Sequence, residues 1–329
     1  MNCKKFLPFL ISVAVAVAMT ALAGVFHERE IIFPEITAIA IGSLTAESMP
    51  WNTTKIRLLL TISSAAVCGV LIVRFLEIPL FPQILAALFC AFLIITISAT
   101  EFMPAISACV LPVILHSHSI IYVLSVIMFT SLILLCRLLL EKLAIRNSVT
   151  FSPINLSREL LLTNILRFAI IAAICLVPAL LHKVFFIVPP LIVAFTEMCK
   201  PDSPLVKRVF SVSALIAAAA VISCTSRLLL TEILGLPLFM PTAVSTATVL
   251  FIAYKLSLPF PPCGAVATLP MLIDASSLTV YPYQVFAGFI VFTAAALLAQ
   301  PLLKKIASQK YPETSSIYTD SITDDTPEI

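Results

Sequence analysis

The sequence contains little charge for its length. Of 329 residues only 11% are charged while 60% are hydrophobic, and the mean hydropathy is +1.11. A soluble domain carries about 25% charged residues, so a soluble fold is excluded. The period-two alternation of membrane strands is also missing from the apolar runs, which leaves helices to satisfy the backbone in lipid.

The motifs of common enzyme sites are missing as well. The chain has no phosphate-binding GxxxxGK[ST] loop, no HExxH and no GxSxG nucleophile motif. Its nine cysteines include no CxxC pair and lie mostly inside apolar runs, where they act as small packing residues. We therefore expect no catalytic residue, no cofactor, no metal site and no nucleic-acid partner.

Apolar runs of about 15 to 20 residues recur along the chain, and about 20 are needed to cross the hydrocarbon core. This pattern predicts an all-α polytopic membrane protein in contact with the lipid bilayer. Each half has about six apolar segments. They cover 6–25, 31–45, 58–73, 80–98, 103–115 and 120–140, then 165–181, 185–198, 209–228, 238–254, 261–273 and 283–299. The second and fifth of each half are short, which is typical of broken or re-entrant helices.

The two halves share a proline pattern, which indicates an internal repeat. Pro79, Pro104 and Pro112 in the first half correspond to Pro237, Pro262 and Pro270 in the second half at one constant offset. We predict a first membrane repeat at 1–145, a connector at 146–160, a second repeat at 161–306 and a disordered acidic tail at 307–329.

Lysine and arginine in short loops predict the orientation of the repeats. Basic residues precede the first segment, surround the connector and follow the last segment. Since positive loops stay cytoplasmic, the N-terminus, connector and tail are predicted inside an inner cell membrane. Each repeat then crosses an even number of times, so the two repeats should be parallel. Assembly into a homo-oligomer is compatible with this arrangement, although the sequence does not specify an oligomeric state.

Prolines at the starts of short segments suggest a path for a solute. Proline suits the first turn of a helix, and a helix N-terminus carries unpaired N–H donors that favour anions. Several small or polar residues near these prolines are also candidates for lining the path. The substrate-path candidates are Pro34, Glu35, Pro104, Pro190, Glu197, Ser203, Thr242, Pro261, Pro262 and Gly264. The alternative is that the prolines only kink or end packed helices.

Acidic, hydroxyl and basic residues within the apolar segments each have two interpretations. Glu35 and Glu197 are candidates for proton coupling or gating, or they reach the aqueous interface. Thr242 and its neighbours line a polar path, or they form hydrogen bonds to a neighbouring helix or to their own helix backbone. Arg227 is expected to extend toward the interface at the end of its segment, and the alternative is that it attracts an anion.

The second half carries a further pattern. Pro189-Pro190, then Pro201-Asp202-Ser203-Pro204, then Phe260-Pro261-Pro262-Cys263-Gly264 occur in this order. In this respect the chain resembles the HPP family of integral membrane proteins, over about 165–300 with a weaker match over 6–140; Phe260 replaces the histidine of the family motif. Some plant members are associated with nitrite movement, so the resemblance implies a small anion such as nitrite as substrate.

Two functions fit these observations. The first is a transporter or channel for a small solute, with the two repeats enclosing its path. The alternative is a membrane scaffold or sensor subunit without transport activity, whose tail or connector binds a partner.

Overall fold

The computed structural model describes residues 3–46, 49–148, 151–154, 156–201 and 203–308. Within these ranges the chain is helical and contains no strand. Seven of the helices are long and apolar enough to cross a membrane. The predicted all-helical fold with several candidate membrane spans is therefore confirmed.

The first half begins with a long helix and contains two short segments. Its helices are α1 (Cys3–Val25), α2 (Glu35–Ala40), α3 (Lys55–Phe75), α4 (Leu80–Ile97), α5 (Pro104–Leu115) and α6 (Ile120–Lys142). A 3₁₀ turn at Arg29–Ile31 precedes α2, and a π-helical turn at Ile41–Thr45 continues it.

The second half also begins with a long helix and contains short helices. Its helices are α7 (Arg158–Leu180), α8 (Pro189–Met198), α9 (Pro204–Lys207), α10 (Val209–Arg227), α11 (Phe239–Lys255), α12 (Pro262–Thr268) and α13 (Tyr281–Ser308). A 3₁₀ turn at Val184–Ile187 precedes α8, and a π-helical turn at Leu228–Ile233 continues α10. Helix α7 starts earlier than the expected 165 because the Ser157 hydroxyl caps it by accepting a hydrogen bond from Leu160 N.

One end of the bundle, here named the connector end, contains the described residues between α6 and α7. There Lys55 Nζ lies 2.5 Å from Glu141 Oε2, and Asn52 donates to the Ser152 carbonyl at 2.8 Å. Phe9 of α1 also lies at this end, as does Gln300 of α13, which bonds to Met198 O. The start of α1, the connector and the end of α13 therefore share one end of the bundle. The tail residues 309–329 lie outside the described residues.

The opposite end, here named the far end, contains the turns that precede α2 and follow α5. The Ser117 hydroxyl donates to Glu30 Oε1 at 2.8 Å, and Arg29 pairs with Asp274 at 3.1 Å. Segment 31–45 thus begins at the far end, and its last residues contact Arg146 at the connector end. The short second segment of the first half runs from end to end of the bundle and does not re-enter.

The short helices form the centre of the bundle, and the long helices surround them. Helix α2 packs against α12, and α5 packs against α8. Outside them α1 packs against α11 and α4 packs against α7, so the two halves contact each other along two seams. Almost every side chain of α2, α5, α8 and α12 is buried.

Buried side chains bind the backbone ends of the short helices. At the connector end the fully buried Arg137 donates to the carbonyls of Ser43, Ala46 and Asn147, and pairs with Glu141 at 2.9 Å. At the far end Arg227 donates to the carbonyls of Pro270 and Ile273. The expectation that Arg227 reaches the interface is wrong, because these carbonyls after α12 hold it inside the bundle at 3% exposure.

Gly69 allows α3 to approach α5 closely. A Cβ on Gly69 would overlap with the backbone carbonyl of Cys109, whereas a Cβ on Gly24 of α1 would meet no atom within 4 Å. We expect Gly69→Ala to lower the free energy of unfolding by about 1–3 kcal/mol through overpacking. The measurement is the thermal denaturation of detergent-solubilised protein. Gly24→Ala is the matched control and should leave stability equal or slightly higher, since alanine is the better helix former; equal midpoints for both variants would contradict the close approach.

Arg137 should matter far more to stability than an exposed ion pair does. Replacing Arg137 with alanine removes a buried donor from the carbonyls of Ser43, Ala46 and Asn147, and we expect a loss of about 3–5 kcal/mol. Arg29→Ala breaks an ion pair whose side chains are 60% and 82% exposed, and should cost less than about 1 kcal/mol. Unfolding of both variants, followed by the same thermal assay, checks the difference. A loss for Arg137→Ala as small as that for Arg29→Ala would refute the role of the buried arginine.

Candidate functional site

A cavity opens at each end of the bundle. The far-end cavity of about 270 Å³ is lined by residues before α2, at the end of α5, before α8 and after α12. Its polar lining consists of Glu30, Ser117, Tyr122, Asp274 and Ser277. Because both halves of the chain contribute to its wall, this cavity lies between them.

The connector-end cavity of about 540 Å³ lies between α1, the π-helical turn after α2, and the residues before α12. Phe9, Leu250 and Tyr254 supply apolar and aromatic lining. Arg146 lines it too, and its guanidinium donates to the carbonyls of Leu44 and Thr45. This cavity is therefore mainly apolar with one buried basic group at its wall.

The same two segments contribute to both cavities. The segment of α2 lines the far-end cavity with Ile32 and the connector-end cavity with Ile41 and Thr45. The segment of α12 lines the connector-end cavity with Pro261 and the far-end cavity with Ile273. The contact between α2 and α12 consequently lies between two cavities that open at opposite ends.

That contact is tight and contains one buried polar pair. The hydroxyls of Thr37 and Thr268 are 2.8 Å apart, and both side chains are buried. A Cβ on Gly264 would overlap with Ile41 Cδ1 and would lie 3.1 Å from Thr37 Cγ2. We name these four residues, Thr37, Ile41, Gly264 and Thr268, the constriction. A larger residue at 264 would require the end of the Ile41 side chain to shift.

The prolines begin the short helices, as the sequence predicted. Pro104 and Pro262 are the first residues of α5 and α12, Pro189 and Pro190 are the first two of α8, and Pro34 directly precedes α2. Four of the predicted residues, Pro34, Pro104, Pro190 and Pro262, are buried. They lie at both ends of the bundle and do not form one cluster.

The first backbone N–H groups of these helices already have acceptors. Thr37 N donates to Pro34 O at 3.1 Å, Gly264 N to Pro261 O at 3.0 Å, and Ile106 N to Met103 O at 2.9 Å. These are tight turns with bonds between residues three apart. The helix starts therefore offer fewer donors to an anion than helix termini in general do.

The remaining predicted residues have distinct surroundings. Thr242 donates to Leu238 O at 2.8 Å, so its hydroxyl bonds to its own helix backbone, which was the second of the two interpretations. Ser203 is buried before α9, and its neighbour Asp202 lies outside the described residues. Glu197 pairs with Lys200 at 2.7 Å near the connector end, and Arg167 bonds to Cys199 O beside it.

Glu35 differs from Glu197 in having no cationic partner. Its side chain is 1% exposed, and among the described residues Oε1 accepts no hydrogen bond and no ion pair includes the residue. Ser107 of α5 lies beside it and is equally buried. Glu35 and Ser107 thus form a buried polar pair without charge compensation.

Sequence reasoning missed Thr37, Ile41, Thr268 and Ser107. The two threonines of the constriction are separated by 231 positions, and no local pattern distinguishes them from other threonines in apolar segments. No cluster of three or more potential metal ligands occurs in the part of the chain that the structure describes. In comparisons with protein-family models, curated proteins and solved structures, nothing matches this chain.

The constriction makes a coupling between Gly264 and Ile41 testable. Gly264→Ala should destabilise the protein by about 0.5–1.5 kcal/mol, because the added methyl overlaps with Ile41 Cδ1 and the Ile41 side chain must leave its preferred rotamer. Ile41→Val removes that methyl, so adding it to Gly264→Ala should recover part of the loss. Thermal unfolding of the two single variants and the double variant gives the interaction energy. Strict additivity of the two single effects would show that these side chains are not in contact.

Proposed function

We propose that this protein is a transporter or channel that moves a small solute along α2 and α12, between two diverged copies of one membrane unit. The observation that carries the proposal is the pair of cavities at opposite ends, which share these segments as walls and are separated by the constriction. Transport proteins built from repeats form their solute sites with broken helices near the membrane midplane.

Paired contacts support the duplication. The second segment of each half packs against the fifth segment of the other, and the first segment of each half packs against the fourth of the other. In addition, Tyr122 donates to Ala108 O at 3.0 Å and Tyr281 donates to Val266 O at 2.9 Å, each from the sixth segment to the fifth. Such matched contacts are expected for two parallel copies related by a two-fold axis along the bundle.

The orientation is part of the proposal. With an even number of crossings in each copy, the N-terminus, the connector and the tail lie in the cytoplasm of an inner membrane. The connector-end cavity then opens to the cytoplasm and the far-end cavity to the outside. Membership of the HPP family stays a prediction that rests on the proline motifs. Assembly into a homo-oligomer also stays a prediction.

The two cavities differ in charge, which bears on the solute. Glu30 and Asp274 line the far-end cavity, although Arg29 pairs with Asp274. Carboxylates at a cavity mouth attract cations and repel anions. A small cation or neutral solute therefore suits this entrance better than nitrite, which remains the candidate implied by the family resemblance.

Uptake into proteoliposomes tests the proposal. Purified protein is reconstituted and challenged with nitrite, nitrate, ammonium, methylammonium and choline, each with and without a pH gradient. We expect flux above empty vesicles for at least one of these solutes. Gly264→Val, which fills the constriction, should reduce that flux to background, while Gly24→Val should leave it unchanged because nothing lies near Gly24. Background flux for every solute, or full activity of Gly264→Val, would count against the path.

A further inference from the structure

The carboxyl group of Glu35 has unusual surroundings. It begins α2, two residues before Thr37 of the constriction, and its side chain is 1% exposed. In the described part of the chain Oε1 has no hydrogen-bond partner, and Ser107 is the polar side chain beside the carboxyl group. A buried carboxyl group and a buried hydroxyl group therefore lie together here, and no ion pair includes Glu35.

The elements packed against α2 supply no positive charge to Glu35. The described part of α1 from Phe6 to Val25 has no ionisable side chain, α5 has only Cys109 and α12 only Cys263. On α6 the group that faces Glu35 is the phenol of Tyr122, whose hydroxyl donates to Ala108 O. Helix α6 also has a buried arginine, Arg137, but it binds Glu141 and carbonyls at the connector end.

An isolated carboxylate in such surroundings is costly. Burial of an unpaired charge costs several kcal/mol even after relaxation, and a group in that position binds a proton instead. Glu197 shows the contrast within the same chain, because Lys200 lies 2.7 Å from it and Arg167 is close by. Of the two acidic residues that the sequence singled out, only Glu35 lacks a cationic partner.

We propose that Glu35, with Ser107 beside it, is a proton-binding site whose release and uptake of a proton is coupled to the opening of the constriction. In the closed form Glu35 carries the proton as a neutral acid. On release the proton passes to water in the far-end cavity, and the carboxylate requires hydration or a donor. Because Glu35 and Thr37 belong to the same short helix, a shift of α2 that hydrates Glu35 also pulls Thr37 and Ile41 away from α12.

The proton site itself can be tested without any transported solute. Infrared spectra of the purified protein across a pH titration report the carbonyl stretch of protonated carboxylic acids. We expect such a band at neutral pH in the wild type, its loss on alkaline titration, and its absence in Glu35→Gln. Glu197→Gln, the matched control, should retain the band. A spectrum of Glu35→Gln identical to the wild type, or no protonated acid at neutral pH in the wild type, would overturn the assignment.

Ser107 acts as a positioning residue in this proposal. Replacement by alanine removes a donor that stabilises the carboxylate once the proton has left. We expect Ser107→Ala to shift the pH at which the Glu35 band disappears to a higher value while leaving the band itself in place. An unchanged midpoint would remove Ser107 from the site.

The coupling rests on the proposed function and is tested separately. For any solute of the uptake panel that the wild type carries, Glu35→Gln should keep exchange of that solute but lose accumulation driven by a pH gradient. Accumulation by Glu35→Gln equal to the wild type would refute the coupling. If the wild type carries none of the solutes, the proposed function fails, whereas the infrared result still decides whether Glu35 binds a proton.

Discussion

The backbone ends of the short central helices set the main constraint on this fold. Helix α5 has 12 residues and would extend for about 18 Å, against about 30 Å for the hydrocarbon core. Where the carbonyls that follow such short helices are buried, they need hydrogen-bond donors from other parts of the chain. The chain meets the constraint with long side chains from surrounding helices. Arg137, Arg227 and Gln300 each donate to carbonyls at the end of a central segment.

This constraint explains the location of the buried arginines Arg137 and Arg227. The last carbonyl groups of a helix carry a partial negative charge. A guanidinium can bind several of these carbonyls at once because it has several N–H donors. Arg137 and Arg227 therefore act as structural groups, since their donors bind backbone carbonyls and the carboxylates of Glu141 and Glu232. Of the two acidic candidates, Glu197 pairs with Lys200, whereas no ion pair among the described residues includes Glu35, and the proposed proton site rests on that contrast.

The helical architecture could be predicted from the sequence because a lipid bilayer permits few backbone structures that satisfy all hydrogen bonds. Apolar runs of about 20 residues predict spans, and prolines predict the starts of α5, α8 and α12, where their lack of an N–H costs nothing. Boundaries were less accurate where polar residues continue a helix beyond its apolar run. At the start of α7 the segment Arg158–Asn164 is helical although Arg158 and Glu159 are charged, because Ser157 caps the helix.

The constriction and the partner of Glu35 could not be predicted, for a different reason. They depend on pairs that are close only after folding, such as Thr37 with Thr268 and Glu35 with Ser107. Composition shows that these residues are polar within apolar segments, but their partners come from other helices. The same limit applies to Arg227, whose position at the end of a segment suggested contact with the interface, whereas the chain folds the end of α12 over it.

The central claim is that two cavities open to opposite sides of the membrane and meet at the contact of α2 with α12. It is tested most directly by the sidedness of labelling at Ser277 of the far-end cavity and Ser257 of the connector-end cavity. In a background without native cysteines, a membrane-impermeant maleimide is added to sealed right-side-out or inside-out vesicles. We predict that Ser277→Cys is labelled only from the outside and Ser257→Cys only from the cytoplasmic side. Labelling of both positions from one side would contradict it.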